Sequence, residues 1–505
     1  MPKIRAFITF LLAIVITISF ECHLAAQAPK ATYLSLNQKI DRYLAQVMED
    51  WQVPGLAVGI VEDHKIIYLH GLSTDSQNIT PDSPFVIGSV SKSFTSLAIM
   101  QLVDAGKISL DAPVTKYLPY FKLAEPIDHL TLAHLLHHTS GLSMETDIKY
   151  LNLEDSDRDP QALRTYIQTL STARLISPIG TKFNYANTNY VILGMVIEEV
   201  SGMPYSDYIQ QYILNPLNMN HSYTSQITAK LANPPLVKGY RFWLNKPIET
   251  TAPYSRQNIP AGYLISSARD MCHYLMVHLN GGKFGDNQLV SSARMAELHE
   301  PKILAWGPGI YSMGWVRDKV DGLDIDYHGG ELVNFSSNVT LVPHKKWGIV
   351  ILTNISPGII GDPIRRIYVG LVHILQADSP PKLEIELGSQ LLVFGLPVLL
   401  ILQIIGFKLA VIRLQRWQSY RIKSCKLFLL YGIIYPLVID GIISIAFLIY
   451  LPFFAKISLS LMIFAQPDLA YIALVSGAIA GCSLIRTCVT IYLYQTSKLL
   501  SKIGY

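Results

Sequence analysis

The chain has 505 residues, half of them hydrophobic, and 41 Lys and Arg against 37 Asp and Glu give a net charge of +4. That length is enough for two or three domains with a sizeable core. The residues from Glu386 onward hold ten basic and three acidic side chains, which leaves 31 basic and 34 acidic residues in the first 385. No basic patch or stripe appears in this body, so the composition speaks against nucleic-acid binding and indicates a globular domain joined to a membrane.

The N-terminus is typical of an export signal. Lys3 and Arg5 precede an uncharged apolar run at 6–20, which is too short for a comfortable membrane span. Ala26-Gln27-Ala28 resembles a signal-peptidase site, so residues 1–28 are predicted to be a signal peptide. A proline follows that site directly, and an uncleaved anchor is therefore the alternative.

The predicted elements of the body are strand-rich at both ends and helical in the middle. Residues 35–50 have helical spacing, and "LAVGIVE" and "KIIYLHG" follow as a hairpin. Three more strands are predicted in "IDYHGGEL", "SSNVTLVP" and "WGIVILTN", before a closing helix in "PIRRIYVGLVHIL". Residues 90–310 are predicted to be mostly helix and loop. Together these patterns predict an α+β architecture, with an antiparallel five-stranded sheet flanked by helices and a helical subdomain.

The C-terminal tail predicts a membrane module. After a linker at 377–386, three apolar stretches at 387–407, 427–452 and 469–494 are each long enough to cross a bilayer. The first loop between them contains six Lys and Arg, whereas the second contains only one lysine and one aspartate. The positive-inside rule therefore predicts a multi-pass protein of the cell membrane, with the C-terminus in the cytoplasm and the body on the extracytoplasmic side.

Two charged residues lie inside the apolar stretches. Asp440 is near the middle of the second stretch, and Arg486 lies eight residues from the end of the third. An unpaired charge at mid-bilayer costs at least about 2.5 kcal/mol, so the two side chains are predicted to pair. The alternative is that Asp440 is protonated and that the Arg486 side chain reaches the cytoplasmic surface.

One lysine stands among hydroxyls in "VIGSVSKSFTS", residues 86–96. Ser89 lies near the start of a helix predicted from about Ser91 to Val103, and Lys92 follows about one turn later on the same face. A helix N-terminus favours an oxyanion, and a buried ammonium loses proton affinity and can serve as a base. Because S-x-x-K is common by chance, a capping serine with an exposed lysine is the alternative.

Two later stretches contain groups that suit the same chemistry. "FNYANTNYVILG" holds Tyr185, which can share proton transfer with a lysine, and Asn187, whose amide can hold a substrate carbonyl. "YHGGELVNFSSNV" places His328-Gly329-Gly330 on a predicted strand, where glycines let a substrate lie close to the strand edge. The next backbone N–H, of Glu331, can pair with that of Ser89 as an oxyanion hole.

These three elements, in this order, resemble the serine β-lactamase and penicillin-binding-protein superfamily, especially class C β-lactamases, low-molecular-weight DD-peptidases and related esterases. The resemblance covers a domain at 35–376 and extends to "LLHHTSGL", "PAGYLISSARDM" and "YSMGWV". It implies that Ser89 is the nucleophile and that Lys92 and Tyr185 form the general-base pair, with no metal or other cofactor. The residues it implies for substrate binding are Asn187, His328, Gly330 and Glu331.

Two positions depart from the family pattern. His328 stands where β-lactamases and many DD-peptidases carry a lysine, and a neutral imidazole attracts a substrate carboxylate less constantly. This difference argues against strong β-lactamase activity. Asn334 stands where the family usually has glycine, and it is expected to preserve the turn because asparagine tolerates left-handed backbone.

His134, His137 and His138 form an H-x-x-H-H pattern that suggests a metal site, but no carboxylate or cysteine motif accompanies them. The resemblance instead assigns His138 to a structural loop.

The favoured function is a membrane-anchored serine hydrolase that forms an acyl-enzyme. Its expected substrates are D-amino-acid peptides, including peptidoglycan-derived ones, or small esters and amides. The alternatives are a penicillin-binding receptor without turnover that signals through its membrane helices, a weak β-lactamase, and an inactive hydrolase that serves as a scaffold.

Overall fold

The computed structural model describes residues 35–149, 157–244, 246–356, 363–381, 387–415, 435–445, 448–449 and 467–503. The predicted signal peptide, most of the basic loop and much of the second apolar stretch lie outside these residues.

One antiparallel sheet of eight strands forms the centre of the body. Its strands in chain order are β1 (Gly55–Glu62), β2 (Lys65–Ser73), β3 (Ile303–Leu304), β4 (Ile310–Tyr311), β5 (Val316–Val320), β6 (Leu323–Glu331), β7 (Ser336–Val342) and β8 (Trp347–Thr353). Across the sheet they lie in the order β2-β1-β8-β7-β6-β5-β4-β3. The α+β architecture is confirmed, but the prediction of five strands was wrong.

The three unpredicted strands, β3, β4 and β5, extend the sheet beyond β6. β3 and β4 have two residues each, and the middle of β5 is Arg317-Asp318-Lys319. Such short or charged segments lack the apolar alternation by which strands are recognised in a sequence. β5 pairs with β6, the strand that contains His328, and β4 and β3 follow outward in that order.

The longer helices are α1 (Leu36–Asp50), α2 (Ser91–Asp104), α3 (Asn187–Ser201), α4 (Ala268–Leu279), α5 (Pro363–Leu375), α6 (Leu387–Gln415), α7 (Tyr435–Ile445) and α8 (Pro467–Ile503). Shorter helices are Leu132–Leu136, Met144–Lys149, Ala162–Thr169, Tyr205–Ile209, Gln226–Leu231 and Ser292–Leu298. Three small strand pairs are Phe85–Val86 with Ile265–Ser266, Tyr240–Trp243 with Lys246–Glu249, and Lys283–Phe284 with Asn287–Gln288.

Helices cover both faces of the sheet. α1 and α5 pack on one face, where Leu44 and Leu371 are buried together with Val58 of β1. α4 packs so closely on the other face that a Cβ added at Gly59 would lie 2.3 Å from Cys272 Sγ. Alternate residues of β1 therefore belong to two separate apolar cores, as expected for a strand at the centre of a covered sheet.

Two helices of the tail are long and apolar enough to cross a bilayer by length and composition. The candidate spans are Gly395–Ile412 within α6 and Pro467–Val489 within α8. They fall on the first and third predicted spans. In the second apolar stretch the described helix, α7, has 11 residues, so the prediction of three spans is supported only in part.

Polar contacts join the helices of the tail. Ser483 of α8 donates a hydrogen bond to the Asp440 carboxylate of α7. Arg486, one turn further along α8, is buried and lies within range of the Asp440 charge. The Asp440–Arg486 ion pair itself stays a prediction.

The body contacts the tail through the paired strands Tyr240–Trp243 and Lys246–Glu249, called the docking hairpin below. The backbone N–H of Leu244 donates to Asp468 Oδ2 at 2.9 Å, and the ring centroids of Trp243 and Tyr471 are 6.1 Å apart. Both partners belong to the first two turns of α8. The docking hairpin therefore packs against the beginning of a helix that can cross a bilayer.

Candidate active site

Ser89 is the accessible hydroxyl of the serine-rich stretch. A 3₁₀ turn, Gly88–Val90, leads directly into α2, so Ser89 lies just before the helix N-terminus as predicted. Its side chain is half-buried, whereas Ser91, Ser93 and Ser96 are fully buried. Only Ser89 among them can meet a substrate.

The buried serines have structural partners. Ser91 Oγ donates to Gly88 O at 2.7 Å and accepts a hydrogen bond from the Leu264 N–H at 3.0 Å. Ser93 Oγ donates to Val90 O at 2.8 Å. These bonds fix the turn on which Ser89 lies.

Two glycines bring the Ser89 turn against the end of β6. Gly88 has a φ of +52°, and a Cβ there would lie 2.6 Å from the backbone nitrogen of Glu331. A Cβ at Gly330 would lie 2.1 Å from Ile87 O. The backbones of the two segments can therefore lie side by side, as an oxyanion hole made of the Ser89 and Glu331 N–H groups requires.

Lys92 is fully buried and faces Ser89. Its Nζ lies 3.0 Å from Ser89 Oγ, 2.7 Å from Asn187 Oδ1 and 2.6 Å from Ala261 O. Burial lowers the pKa of Lys92 to about 7, and the charge of Asp147 opposes this fall. At neutral pH a large fraction of the amine is therefore uncharged.

The same three contacts orient a neutral Lys92 amine. Asn187 Oδ1 and Ala261 O can only accept hydrogen bonds, so they take the two hydrogens of the amine. The nitrogen lone pair is then left for the hydroxyl of Ser89. This geometry suits removal of the Ser89 proton by Lys92.

Tyr185 lies beside both groups. Its side chain is hydrogen-bonded to Ser89, and Lys92 Nζ lies 4.8 Å from the centroid of its ring. Burial raises the pKa of Tyr185 well above its usual value, and the bond to Ser89 offsets only part of the rise. Tyr185 is thus a protonated phenol at neutral pH. Within the predicted general-base pair, the pKa order favours Lys92 as the base and Tyr185 as a proton relay.

Asp147 caps the helix that carries Asn187. Its carboxylate accepts hydrogen bonds from the backbone N–H of Asn187 at 2.7 Å and of Thr188 at 2.9 Å. Asp147 therefore positions the first residue of α3, and its charge also acts on Lys92. The sequence did not reveal this residue, because it precedes Asn187 by 40 positions and no local pattern marks it as a cap.

His328 is buried on β6 and uncharged. Burial and the charge of Lys92 lower its pKa to about 3, although a 2.7 Å hydrogen bond between Nδ1 and Gly329 O opposes this. Where β-lactamases carry a lysine, this chain thus has an imidazole that is uncharged at neutral pH.

Asn334 does not have the left-handed backbone that motivated its expected role. The described non-glycine residues with positive φ do not include it. Its side chain is buried instead, and Nδ2 donates to Thr250 O at 3.0 Å. A Cβ at Gly239 would lie 2.5 Å from this nitrogen. Asn334 therefore ties the turn after β6 to the base of the docking hairpin.

The three histidines of the H-x-x-H-H pattern each bind a different protein group. Their partners are Thr131 for His134, Ala133 for His137, and Ala186 with Asn189 for His138. Among the described residues, no group of three or more His, Cys, Asp or Glu could hold a metal ion.

The sheet, the helix that follows Ser89 and the buried lysine one turn later are the arrangement of the serine hydrolases of the β-lactamase class. The β-lactamase family model matches residues 40–373, and the chain belongs to this family. The predicted resemblance is therefore confirmed.

Two curated proteins are similar to the chain. The protein Flp of Staphylococcus aureus (strain N315) is 26% identical over 344 residues, which cover 66% of each chain. An unguisins hydrolase of Aspergillus campestris is 25% identical over 337 residues, covering 63% of this chain and 62% of that one. The chain thus spans just under two thirds of the length of these curated relatives.

Two solved structures share the fold. The octameric penicillin-binding protein homologue from Pyrococcus abyssi has a TM-score of 0.59 and 28% identity, covering 68% of this chain and 78% of its own. The D-alanine carboxypeptidase AmpC from Burkholderia cenocepacia has a TM-score of 0.55 and 22% identity, covering 68% and 99%. At 22% identity, the similarity to this carboxypeptidase concerns the fold alone.

Proposed function

We propose that the chain is a membrane-anchored serine hydrolase that forms an acyl-enzyme on Ser89 and cleaves D-amino-acid peptides or small esters and amides. The observation that carries the proposal is the 3.0 Å contact between the accessible Ser89 and a buried Lys92 whose pKa is about 7. Membership of the β-lactamase family and a hydrolase among the relatives support it.

The proposed reaction uses the groups that meet at Ser89. Neutral Lys92 takes the Ser89 proton as Oγ bonds to the substrate carbonyl carbon, and the N–H groups of Ser89 and Glu331 hold the oxyanion. When the tetrahedral intermediate collapses, the bond to the alcohol or amine breaks and this leaving group takes a proton through Tyr185. Water then attacks the acyl-enzyme with the help of the same base, which releases the acid and restores Ser89.

The neutral His328 bears on substrate choice. A strong β-lactamase would gain from a cation for the substrate carboxylate, and the imidazole does not supply one at neutral pH. We therefore favour neutral esters, amides and peptides over penicillins, and expect β-lactam turnover to be weak.

The test is covalent labelling of the purified full-length protein with a fluorophosphonate and a fluorescent penicillin, followed by assays with esters and D-Ala-D-Ala peptides. Ser89→Ala should abolish labelling and turnover. The matched control Ser91→Ala, which removes a buried hydroxyl, should keep covalent labelling. Labelling that persists in Ser89→Ala and disappears in Ser91→Ala would show that the wrong serine was assigned.

Anchoring in the membrane is supported by the two candidate spans and by the docking hairpin at the start of α8. The body and the first residues of α8 then lie on the same side of the bilayer, and we propose that this is the extracytoplasmic side. The test uses a variant without the other four cysteines, which keeps the native Cys425 of the basic loop and carries an introduced His64→Cys in the exposed turn of the body. An impermeant maleimide should label the cysteine of His64→Cys in intact cells. It should label Cys425 only after the cells are permeabilised. The opposite labelling pattern would show that the protein has the reverse orientation in the membrane.

The contacts of the docking hairpin favour one second candidate, the receptor. Asn334 connects the turn after β6 to Thr250, and Leu244 connects the same hairpin to Asp468 of α8. Hydrogen bonds therefore lead from the end of β6, beside the Ser89 turn, to a candidate membrane helix. The measurement that separates the two functions is product release, because an enzyme releases many acids per protein whereas a receptor stops after a single acylation.

A further inference from the structure

A wall of aromatic rings leads from Tyr185 to the protein surface. Trp306 lies in the turn between β3 and β4, and its centroid is 5.4 Å from that of Tyr185 and 5.0 Å from that of Phe183. Phe183 is in turn 5.4 Å from Tyr311 of β4. These four residues, called the aromatic wall below, begin at the phenol that is hydrogen-bonded to Ser89.

Trp306 is held in place although half of it is exposed. Its side chain keeps 50% of its accessible surface. The turn around it is closed by hydrogen bonds from the Ala305 N–H to Gly309 O at 2.8 Å and from the Gly309 N–H to Trp306 O at 2.9 Å. A large indole that is fixed on one side and exposed on the other offers a preformed apolar surface.

The β3–β4 hairpin has one face toward the active site and one face away from it. Ile310 pairs with Leu304 across β4 and β3, so these two side chains share one face. Tyr311, the next residue, points to the opposite face, where its ring meets His138 and His328 at 5.0 and 6.0 Å. Leu304 is 64% exposed on the face away from the site. It therefore provides a matched control for Trp306.

The imidazoles that border the aromatic wall are uncharged. Burial lowers the pKa of His138 well below its usual value and that of His328 to about 3. The rings thus provide apolar contact and no anion-binding charge of their own. A carboxylate or phosphate on the substrate would find no cationic partner among these rings.

We propose that the aromatic wall is a subsite for an aromatic or large aliphatic leaving group, so that the preferred substrates are esters or amides of apolar alcohols and amines. This inference rests on the proposed hydrolase function. The leaving group departs beside the residue that gives it a proton, and the Trp306 ring lies next to that residue, Tyr185, at an interplanar angle of 50°. An apolar alcohol or amine would therefore lie on Trp306 and Phe183 while the bond to the carbonyl breaks.

The test compares kcat/KM of the full-length protein in detergent for benzyl acetate, methyl acetate and methyl phenylacetate. Trp306→Ala should lower the value for benzyl acetate by about tenfold and leave both methyl esters within about twofold. For each ester, the wild type is compared with the variant, so the intrinsic reactivity of the ester cancels from the ratio of the two kcat/KM values. Trp306→Phe should retain most of the benzyl preference, and Leu304→Ala should change none of the three values.

Two results would overturn the proposal. An equal loss for all three esters would mean that Trp306 only supports the site, and a selective loss for methyl phenylacetate would place the subsite on the acyl side.

A binding measurement separates this inference from the hydrolase function. In Ser89→Ala, which cannot be acylated, intact benzyl acetate should bind, and adding Trp306→Ala should weaken its Kd by about tenfold. If the wild type turns over no ester but this binding difference remains, the hydrolase function fails and the subsite stands. If benzyl acetate does not bind, or binds independently of Trp306, the subsite is refuted.

Discussion

Lys92 and Asp326 are both buried ionisable side chains of the body, but the groups in direct contact with them differ in charge. The atoms around Lys92 Nζ belong to neutral groups, the Ser89 hydroxyl, the Asn187 amide and a backbone carbonyl. Asp326 instead accepts two 2.7 Å hydrogen bonds from the guanidinium of Arg317, and His299 lies 3.3 Å away.

The pKa values follow from this difference. Burial dominates at Lys92 and lowers its pKa to about 7. Burial alone would raise the pKa of Asp326, but the hydrogen bonds from His299 and Arg317 outweigh it and leave the pKa below its usual value. A buried group in direct contact with an opposite charge keeps its charge, whereas a buried group whose direct contacts are neutral shifts toward its uncharged form.

The largest expected effect comes from Lys92→Met. Turnover of a neutral ester should fall at least about a hundredfold, because the general base is lost. Stability should rise, since the folded pKa of Lys92 lies below that of the unfolded chain and the unfolded state therefore binds more protons between these two values. The gain in melting temperature should be larger at pH 6 than at pH 9.

Lys92→Arg is the matched control for this prediction. A buried guanidinium stays charged, so this variant should be both inactive and less stable than the wild type. An active Lys92→Met, or a Lys92→Met that is less stable than Lys92→Arg, would contradict the description of Lys92 as a desolvated base.

Asp326→Asn should act on stability instead. Losing the charge that pairs with Arg317 is expected to cost about 2–3 kcal/mol at neutral pH. Because the folded pKa of Asp326 is lowered, its contribution is present above about pH 4 and is lost as the pH falls through the folded value. The difference in melting temperature between wild type and variant should therefore narrow below pH 4. Labelling of Ser89 should persist, and its complete loss would mean that Asp326 belongs to the catalytic site.

His328→Lys should change selectivity. A lysine there would supply a cation for substrate carboxylates, and the ratio of penicillin acylation to neutral-ester acylation should rise about tenfold, the effect of one partly screened charge. His328→Asn is the control for loss of the imidazole without a new charge. An unchanged ratio in His328→Lys would mean that this residue is only structural.

Asp147→Asn should have the smallest effect. The Asp147 charge raises the pKa of Lys92, so its removal should lower that pKa further and shift the acid limb of the pH–rate profile to lower pH. Thr188→Val removes one hydrogen bond to Asp147 but keeps the charge, and it should leave the limb in place. A shift to higher pH in Asp147→Asn would refute the electrostatic coupling.

The sequence was sufficient for the parts of the site that lie in short motifs. Ser89 and Lys92 are one helical turn apart, so their meeting follows from helix geometry. Asn187 reaches Lys92 across 95 positions, and only the family resemblance brought that pair together. Asp147 belongs to no motif, since a cap supplied by a separate short helix leaves no local signal.

The strands show the same limit. β1 and β8 are mostly apolar and buried on both faces, which the sequence displays directly. The two-residue strand β4 pairs with β5, and β3 in turn pairs with β4, so pairing rather than composition defines both strands. The placement of Trp306 depends on that hairpin and could not be predicted.

The charge state of Lys92 is the most direct test of the proposed chemistry. The full-length protein, labelled with ¹³C at the lysine ε-carbons and held in detergent, would be titrated by NMR, with the Lys92 signal assigned by its loss in Lys92→Arg. We expect the Lys92 signal to titrate with a midpoint near 7. A Lys92 signal that stays in the protonated form to pH 9 would contradict a neutral amine that accepts the Ser89 proton.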